Sequence, residues 1–345
     1  MSRHEPMPFL SYGALTDAQD LRRGNRNRIL RSIITRGPAT RAELARRTGM
    51  SRPTVSVIAN ELLTSGVLVE GDRVSSGGAP GTLLEMARHT GVTFVVDAQD
   101  LRAVTMAPVT ATGGVVSRTT LPVRDELELL QVIEEAAGAV ERRTLIGAAL
   151  AVPGFVDPGG VWVRDAAGVD LVERLRRSLR MPVHAVNATD AVTIADLRDS
   201  PEGLAAQATL VARGATVGFI LEGRLLTGQK RSLGDVAHVV PGTAGPICPV
   251  CRRQCLSAML GDSAPEQAAA GIAAVMAPVV AAVEVEEIVL ALLPADMAEQ
   301  TRVHTAELLR ERLPEHLAPA VRLSQQGENA VLVGAAAMML YSRLS

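Results

Sequence analysis

The chain contains no uninterrupted run of 18 apolar residues, and residues 1–20 lack the basic-then-apolar order of a secretory signal. It has only three cysteines, all within residues 248–255, a number and a clustering that do not suit a disulfide framework. Tandem repeats and low-complexity segments are also missing. These absences predict a soluble, cytoplasmic protein without a membrane partner. Because 47% of the 345 residues are apolar and 21% are charged, most of the chain is expected to form packed cores.

Positive charge is concentrated near the N-terminus. The chain has one lysine, Lys230, and 34 arginines, so arginine is its general basic residue and its abundance alone says little about nucleic-acid binding. Residues 1–90 hold 13 arginines and eight acidic residues, whereas the rest of the chain has an acidic excess. Ten of these arginines lie between Arg22 and Arg52, with Glu43 as the one acid among them. This density is typical of a phosphate-binding surface and equally of a solvated helix in an arginine-rich proteome.

Helix signals predict a winged helix-turn-helix over residues 21–88, after an N-terminal extension over residues 1–20. Apolar residues recur at helical spacing within residues 25–36, which predicts the first helix. Two more short helices follow, and residues 67–84 predict a wing hairpin with a glycine-rich tip. The residues that end or cap these helices are Gly37 and Pro38, Thr40 with Glu43 in a capping box, Gly49, and Ser51 followed by Pro53.

The third helix is expected to enter the major groove of double-stranded DNA. Its outward side chains are expected to contact base edges, and these are Arg52, Pro53, Thr54, Ser56 and Asn60. Further DNA contacts are predicted at Thr40, Arg41, Ser51 and the wing tip near Gly78, while Arg36 and Arg47 are expected to contact phosphate whatever the sequence. The alternative is a helical module used only for dimer or scaffold contacts.

From Gly91 onward, strand-like and helical stretches alternate, which predicts an α/β domain with two lobes. The predicted strands are residues 93–96, 147–152, 182–186, 208–212 and 217–221, and the predicted helices are residues 126–142, 171–179 and 188–197. We expect the first lobe over residues 89–200 and the second over residues 201–326. The apolar C-terminal segment, residues 327–345, is predicted to be a helix that packs back on the first lobe.

Four potential metal ligands cluster in the second lobe: His238, Cys248, Cys251 and Cys255. Three thiols and one imidazole match the ligand number and type of a closed, tetrahedral structural Zn²⁺ site. Two other interpretations remain, namely buried inert thiols and a redox switch in which Arg252 and Arg253 lower a thiol pKa.

Several segments together resemble the ROK family (repressor, open reading frame, kinase). They are residues 152–158 (VPGFVDP), Gly214 and Gly218 before residues 222–225 (EGRL), residues 234–238 (GDVAH) and the cysteine cluster, in which the middle cysteine is shifted by one place and the family's glycines are absent. Regulators of this family join a winged helix-turn-helix to a sugar-kinase-like domain of the actin and hexokinase fold. The resemblance covers nearly the whole chain, and it implies a transcriptional repressor at the nucleoid that binds a palindromic operator as a homodimer or tetramer.

The resemblance also identifies departures from a sugar kinase. The family's first phosphate-binding turn falls on residues 97–101, which contain no glycine and add Asp100. Its Asn-Asp pair, in which the Asp is the general base, falls on Asn187 and Ala188, and alanine cannot accept a proton. We therefore expect neither ATP binding nor catalysis, with weak hexose phosphorylation as the alternative.

A sugar or sugar-derived effector is the remaining implication of the resemblance. Of the family's sugar-binding positions, Asn187 and His238 are kept, one Glu is shortened to Asp235, and another is replaced by Ser257. A polar site that loses partners loses affinity for its original ligand. An altered ligand is expected, with loss of ligand sensing as the alternative.

Overall fold

The computed structural model describes residues 18–74, 80–87, 91–141, 144–152, 171–200, 204–226 and 233–344. The chain divides into two compact units, Met1–Arg198 with Val331–Ser345, and Asp199–Ala330. The first unit contains an N-terminal helical head (residues 18–87) and an α/β lobe, called the first lobe. The second unit is the second lobe. The predicted fold class, a winged helix-turn-helix followed by a two-lobed α/β domain, is confirmed.

The head consists of α1 (Ala18–Arg36), β1 (Ala39–Thr40), α2 (Arg41–Thr48), α3 (Arg52–Thr64), β2 (Leu68–Val74) and β3 (Gly81–Met86). The predicted capping box is confirmed, because the Thr40 hydroxyl accepts a hydrogen bond from the Glu43 N–H and the Glu43 carboxylate accepts one from the Thr40 N–H. The Ser51 hydroxyl accepts a bond from the Thr54 N–H at the start of α3. The predicted apolar stripes pack together in the core: Ile29, Leu30, Ile33, Ile34, Leu44, Val55, Ile58, Ala59 and Leu62 are all buried.

Two features of the head differ from the prediction. Helix α1 begins at Ala18, inside the segment predicted as an extension, because its first turns contain good helix formers but no apolar stripe. The wing has a third strand, since β1 pairs with β3 in a sheet of order β1-β3-β2. The predicted tip with Gly78 lies outside the described residues.

The first lobe contains β4 (Val92–Asp97), β5 (Val104–Thr110), β6 (Thr119–Leu121), α4 (Glu126–Gly138), β7 (Leu145–Val152), α5 (Leu171–Leu179), β8 (Val183–Asn187) and α6 (Ala188–Asp196). Its sheet has the order β6-β5-β4-β7-β8; β4 is antiparallel to β5 and parallel to β7, and β7 is parallel to β8. Apolar residues of the sheet, α4 and α5 form the core of the lobe.

The second lobe contains β9 (Ala206–Val211), β10 (Thr216–Leu221), β11 (Arg224–Leu226), α7 (Leu256–Asp262), α8 (Pro265–Val283), β12 (Glu287–Ala291), α9 (Ala298–Arg312) and β13 (Ala320–Leu323). Its sheet, β11-β10-β9-β12-β13, repeats the strand order and the strand directions of the first lobe. The two lobes therefore share one topology, although the sequence shows no repeat.

Helix α8 is long and apolar enough, by length and composition alone, to cross a membrane. However, it packs against α7 and α9, and residues such as Ile272, Met276 and Val280 are fully buried in the core of the second lobe. Burial in this core accounts for its apolar composition, so the helix is weak evidence for a membrane span.

The last helix, α10 (Ala330–Leu344), belongs to the first unit. Its backbone lies so close to α6 that a Cβ built on Gly334 would be 1.7 Å from the carbonyl oxygen of Ala191. At its C-terminal end, the carbonyl oxygen of Leu344 accepts a hydrogen bond from Arg26 of α1. The helix therefore contacts both the first lobe and the head.

Candidate DNA-binding surface and metal centre

One face of α3 is exposed opposite its buried face. Residues that differ by three, four or seven positions share a side of a helix, which places Pro53, Val57, Asn60 and Thr64 in one row. All four are exposed, and Val57 keeps 56% of its surface accessible. Val57 was missed in the sequence analysis; a β-branched residue outside the buried stripe of a recognition helix is the signal that could have identified it.

The other predicted residues of α3 lie beside this row. Arg52 is exposed in the first turn, and Ser56 is half-buried. Thr54 is also half-buried, and its hydroxyl lies 2.8 Å from the hydroxyl of Ser51. The structure places Pro53 and Asn60 on the outward row itself. Base contacts stay predictions for all five residues, which are Arg52, Pro53, Thr54, Ser56 and Asn60.

Two arginines of the head are held by other residues of the head. Arg41 donates hydrogen bonds to Asn60 and Glu70. Arg47 has a side chain only 11% exposed, pairs with Glu43 and donates to the carbonyl of Gly37. Its guanidinium holds α2 against the turn after α1, which argues against the expected phosphate contact of Arg47; that contact stays a prediction.

The four predicted metal ligands converge in the second lobe. Their ligand atoms all lie within 4.8 Å of one another. The His238 Nδ1 atom is 3.6 Å from the Cys255 Sγ atom and 3.9 Å from the Cys248 Sγ atom. With metal bonds of about 2.3 Å to sulfur and about 2.0 Å to nitrogen, the edges of a tetrahedron measure about 3.5–3.8 Å. Donor type and spacing therefore fit a four-coordinate metal ion.

Backbone hydrogen bonds shape the loop that carries these ligands. The Cys248 N–H donates to the carbonyl of Arg253, and the Arg252 N–H donates back to the carbonyl of Cys248. Arg252 has a left-handed backbone with φ +58°, which lets the loop turn tightly. Farther along, the Leu256 N–H donates to the carbonyl of Val239, so the start of α7 is tied to the segment that carries His238.

The thiols differ in acidity. Hydrogen bonding from the backbone N–H of Cys251 lowers the pKa of the Cys248 thiol to about 7. Burial raises the pKa of the Cys255 thiol. The thiolate is the form that binds metal, so the first thiol is partly prepared for binding at neutral pH, whereas the second needs a metal ion to displace its proton.

A glycine positions the segment before this centre. Gly234 has φ +78°, and a Cβ built on it would be 1.7 Å from the carbonyl oxygen of Val217. The next residue, Asp235, is exposed and accepts a hydrogen bond from the Ala237 N–H. Because the Nδ1 atom of His238 faces the sulfurs, only its Nε2 atom can serve the predicted effector site when a metal is bound.

The predicted effector residue Asn187 and the alanine after it lie in the first lobe. Asn187 caps α6, and its Oδ1 accepts hydrogen bonds from the N–H groups of Thr189 and Asp190. Ala188 is the first residue of the helix and is buried. The resemblance to the ROK family predicts the general base at this position, and that assignment stays a prediction.

In the turn between β4 and β5, two backbone donors are satisfied by carboxylates of the same turn. The Gln99 N–H donates to the Asp97 carboxylate, and the Arg102 N–H donates to the Asp100 carboxylate. The Arg102 side chain also pairs with Asp100. A phosphate-binding turn needs such N–H groups for the phosphate oxygens, so this turn is poorly suited to a nucleotide.

Two family profiles match the chain. The MarR family matches residues 25–78, which contain most of α1, all of α2 and α3, and strands β1 and β2. The ROK family matches residues 103–270, which extend over parts of both lobes.

Curated relatives are a transcriptional regulator and a repressor by name. The DNA-binding transcriptional dual regulator NagC of Escherichia coli (strain K12) is 21% identical over 266 residues, which are 69% of this chain and 63% of NagC. The xylose repressor of Bacillus subtilis (strain 168) is 23% identical over 263 residues, 70% of this chain and 66% of that protein. The chain therefore spans slightly less than two thirds of the length of these relatives.

Solved structures share the fold. A ROK family transcriptional regulator described as a homologue of the E. coli MLC protein has a TM-score of 0.68 at 17% identity, and the match covers 94% of this chain and 98% of that one. The ROK hexokinase from Thermus thermophilus has a TM-score of 0.56 at 21% identity, covering 72% of this chain and 98% of the hexokinase. The match to the regulator includes the head, whereas the match to the kinase covers a smaller share of this chain.

Proposed function

The chain belongs to the ROK family and carries a winged helix-turn-helix before its ROK domain, and we propose on this basis that it is a DNA-binding transcriptional repressor. The observation that carries the proposal is the exposed row of α3, which lies opposite the packed core of the head. In helix-turn-helix proteins this face of the second helix lies in the major groove. The names of the curated relatives, which include repressors, agree with this function.

The cluster of His238, Cys248, Cys251 and Cys255 would hold a structural Zn²⁺. Three soft sulfur donors and one nitrogen donor, at near-tetrahedral spacing, favour zinc over the hard cations Mg²⁺ and Ca²⁺. With all four positions taken by protein, such a site has no open position for a substrate. The ion would fix the loop that joins His238 to the start of α7.

The ROK domain acts without catalysis in this proposal. Ala188 provides no general base, and two N–H groups of the turn after β4, those of Gln99 and Arg102, donate to the carboxylates of Asp97 and Asp100. Its role is to dimerise and to respond to a sugar or sugar-derived effector, through Asn187, Asp235 and the Nε2 atom of His238. A two-fold symmetric dimer would recognise a palindromic operator in the nucleoid of the cytoplasm.

DNA binding is tested with duplexes that the full-length protein selects from a random pool. We expect Arg52→Ala to weaken binding to the selected duplex by about 10- to 100-fold, because a base-edge contact contributes about 1–3 kcal/mol. Binding to random DNA should change much less. Fluorescence anisotropy at several salt concentrations measures both affinities.

Arg310→Ala is the matched control, because it removes one exposed arginine from α9, outside the head. It should leave both affinities nearly unchanged. Equal losses on selected and random DNA for Arg52→Ala would reassign that residue to phosphate contact. A wild-type protein that binds no DNA at physiological salt would refute the proposed function.

The kinase alternative has a separate test. Purified protein incubated with labelled ATP and a panel of hexoses is expected to form no sugar phosphate above the level of a protein-free control. The reason is the missing carboxylate at Ala188, together with the use of the Gln99 and Arg102 N–H groups by carboxylates of the turn after β4. Formation of sugar phosphate that increases with protein concentration would contradict a non-catalytic ROK domain.

A further inference from the structure

One amide on the exposed row of α3 has its orientation set by a charged neighbour. Asn60 is exposed, and its Oδ1 atom accepts a 3.1 Å hydrogen bond from Nη2 of Arg41. A guanidinium has only donors, so the amide must direct its oxygen toward it; the opposite orientation would place one NH₂ group against another. The chemistry of this pair therefore fixes which amide atom faces Arg41: one lone pair of the oxygen is used, and the NH₂ group stays available to a further partner.

Arg41 is itself held in place. Its Nη1 and Nη2 atoms both lie 3.3 Å from the Oε1 atom of Glu70. Arg41 is the first residue of α2, Asn60 lies in α3 and Glu70 lies in β2, so one guanidinium connects three elements of the head. Glu70 is the last paired residue before the irregular stretch of β2 that ends at Arg73. These contacts of Arg41 with Asn60 and Glu70, called the clamp, thus join the base of the wing to α2 and α3.

The clamp also changes what Arg41 can do. Its side chain is only 31% exposed, and the carboxylate of Glu70 offsets its charge. A residue that binds phosphate needs an uncompensated positive charge, whereas a residue that positions another side chain needs fixed partners. Arg41 has the properties of a positioning residue, which distinguishes it from the direct DNA contact predicted from the sequence.

We propose that Arg41 and Glu70 make Asn60 a donor-only reader of the major groove, which selects guanine or thymine over adenine at one position of each half-site. This rests on the proposed DNA-binding function. An unconstrained asparagine favours adenine because its oxygen accepts from N6 while its NH₂ donates to N7. Arg41 takes one lone pair of that oxygen and places its own N–H groups beside it, so an adenine amino group would have to approach the amide next to another donor. Guanine presents O6 and N7, and thymine presents O4, so both offer acceptors to the NH₂ group.

The decisive variant reverses the polarity of the reader without changing its shape. Asn60→Asp is isosteric, keeps the contact with Arg41, and presents an acceptor where the wild type presents a donor. In selections from a random duplex pool, the full-length wild type should enrich guanine or thymine at the position concerned. Asn60→Asp should instead enrich cytosine or adenine there, whose amino groups are donors, and Asn60→Ala should reduce discrimination at that position by about 5- to 10-fold.

A second variant tests the clamp. Arg41→Met with Glu70→Gln keeps the net charge of the head and releases the oxygen of Asn60. We expect adenine to be enriched at the same position, while the dependence of affinity on salt stays close to that of the wild type because no phosphate contact is lost. Arg310→Ala, outside the head, is the control and should leave the preference at this position unchanged. Melting curves establish that each variant is folded.

The outcomes separate this inference from the proposed function. If the wild type enriches no sequence, the DNA-binding function fails. If it enriches a sequence but Asn60→Ala changes no position, or if the position that changes is adenine in the wild type, DNA binding stands and the donor-only assignment is overturned. A fall in the salt dependence by about one phosphate contact in the Arg41→Met and Glu70→Gln variant would likewise overturn the positioning role of Arg41.

Discussion

Replacing Cys255 with serine is expected to abolish stoichiometric zinc binding and to destabilise the second lobe. Cys255 is fully buried, provides one of four ligand atoms, and stands immediately before α7. A serine hydroxyl stays protonated at neutral pH and cannot replace a thiolate, so the remaining three ligands would bind the metal weakly. The free energy of unfolding should fall by more than about 4 kcal/mol, the range typical of losing a structural metal. Elemental analysis and urea denaturation measure the two effects.

The matched control is Val250→Ser, in the same loop between Cys248 and Cys251. Val250 is 76% exposed and provides no ligand atom. This variant should retain one zinc ion per chain, with a stability within about 0.5 kcal/mol of the wild type. Full zinc occupancy in Cys255→Ser would contradict the assigned ligand set. Equal destabilisation of both variants would mean that the loop is sensitive to any substitution, so that stability would carry no information about metal.

Replacing Gly334 with alanine is expected to have the second large effect, on the first unit. Alanine normally stabilises a helix relative to glycine by about 1 kcal/mol. Here the added methyl carbon would lie 1.7 Å from the carbonyl oxygen of Ala191, less than half of an ordinary contact distance, and backbone cannot rotate away as a side chain can. Helix α10 must therefore separate from α6, and we expect a net loss of about 3 kcal/mol in the free energy of unfolding.

Gly138→Ala is the control for this prediction. Gly138 ends α4 in the same unit, and a Cβ built on it would have no neighbour within 4 Å. It should be neutral or stabilising by about 0.5 kcal/mol. Hydrogen exchange should accelerate in α6 and α10 for Gly334→Ala and remain unchanged for Gly138→Ala. If the two variants unfold at the same denaturant concentration, the close contact between α10 and α6 does not constrain the first unit.

Gly334→Ala is also expected to affect a candidate effector residue on α6. Asn187 caps α6 and is the candidate effector residue of the first lobe, while the far end of α10 accepts a hydrogen bond from Arg26 of the head. Because one helix contacts both α6 and α1, separating α10 from α6 should also weaken the placement of the head. The variant is thus expected to lose affinity for operator DNA without any change in a DNA-contacting side chain.

Local signals in the sequence were sufficient to predict most helices and strands of the head and several of the first lobe. The capping box of Thr40 and Glu43 and the Ser51 cap are satisfied by residues three positions apart, so they can be read without knowledge of the fold. Helix α5 has the predicted bounds, residues 171–179, because its apolar residues recur at helical spacing and all four of its leucine and valine side chains are buried.

Elements that depend on distant partners were not predicted. Strand β1 has only two residues and exists because β3, more than 40 positions later, pairs with it. Strands β12 and β13 and helices α7 to α9 were likewise left unassigned, since apolar runs of this length do not by themselves distinguish a buried strand from a buried helix.

The sequence by itself determined the ligand types of the candidate metal centre, the capped helices of the head and the absence of a carboxylate at Ala188, because each depends only on residue identity and short spacing. Only the tertiary structure decided that Arg41 reaches Asn60 and Glu70, that Val57 faces outward, and that Gly334 has no room for a methyl group. Contacts between residues far apart in the chain depend on how helices and strands pack, and that packing is set by the whole core rather than by any local pattern.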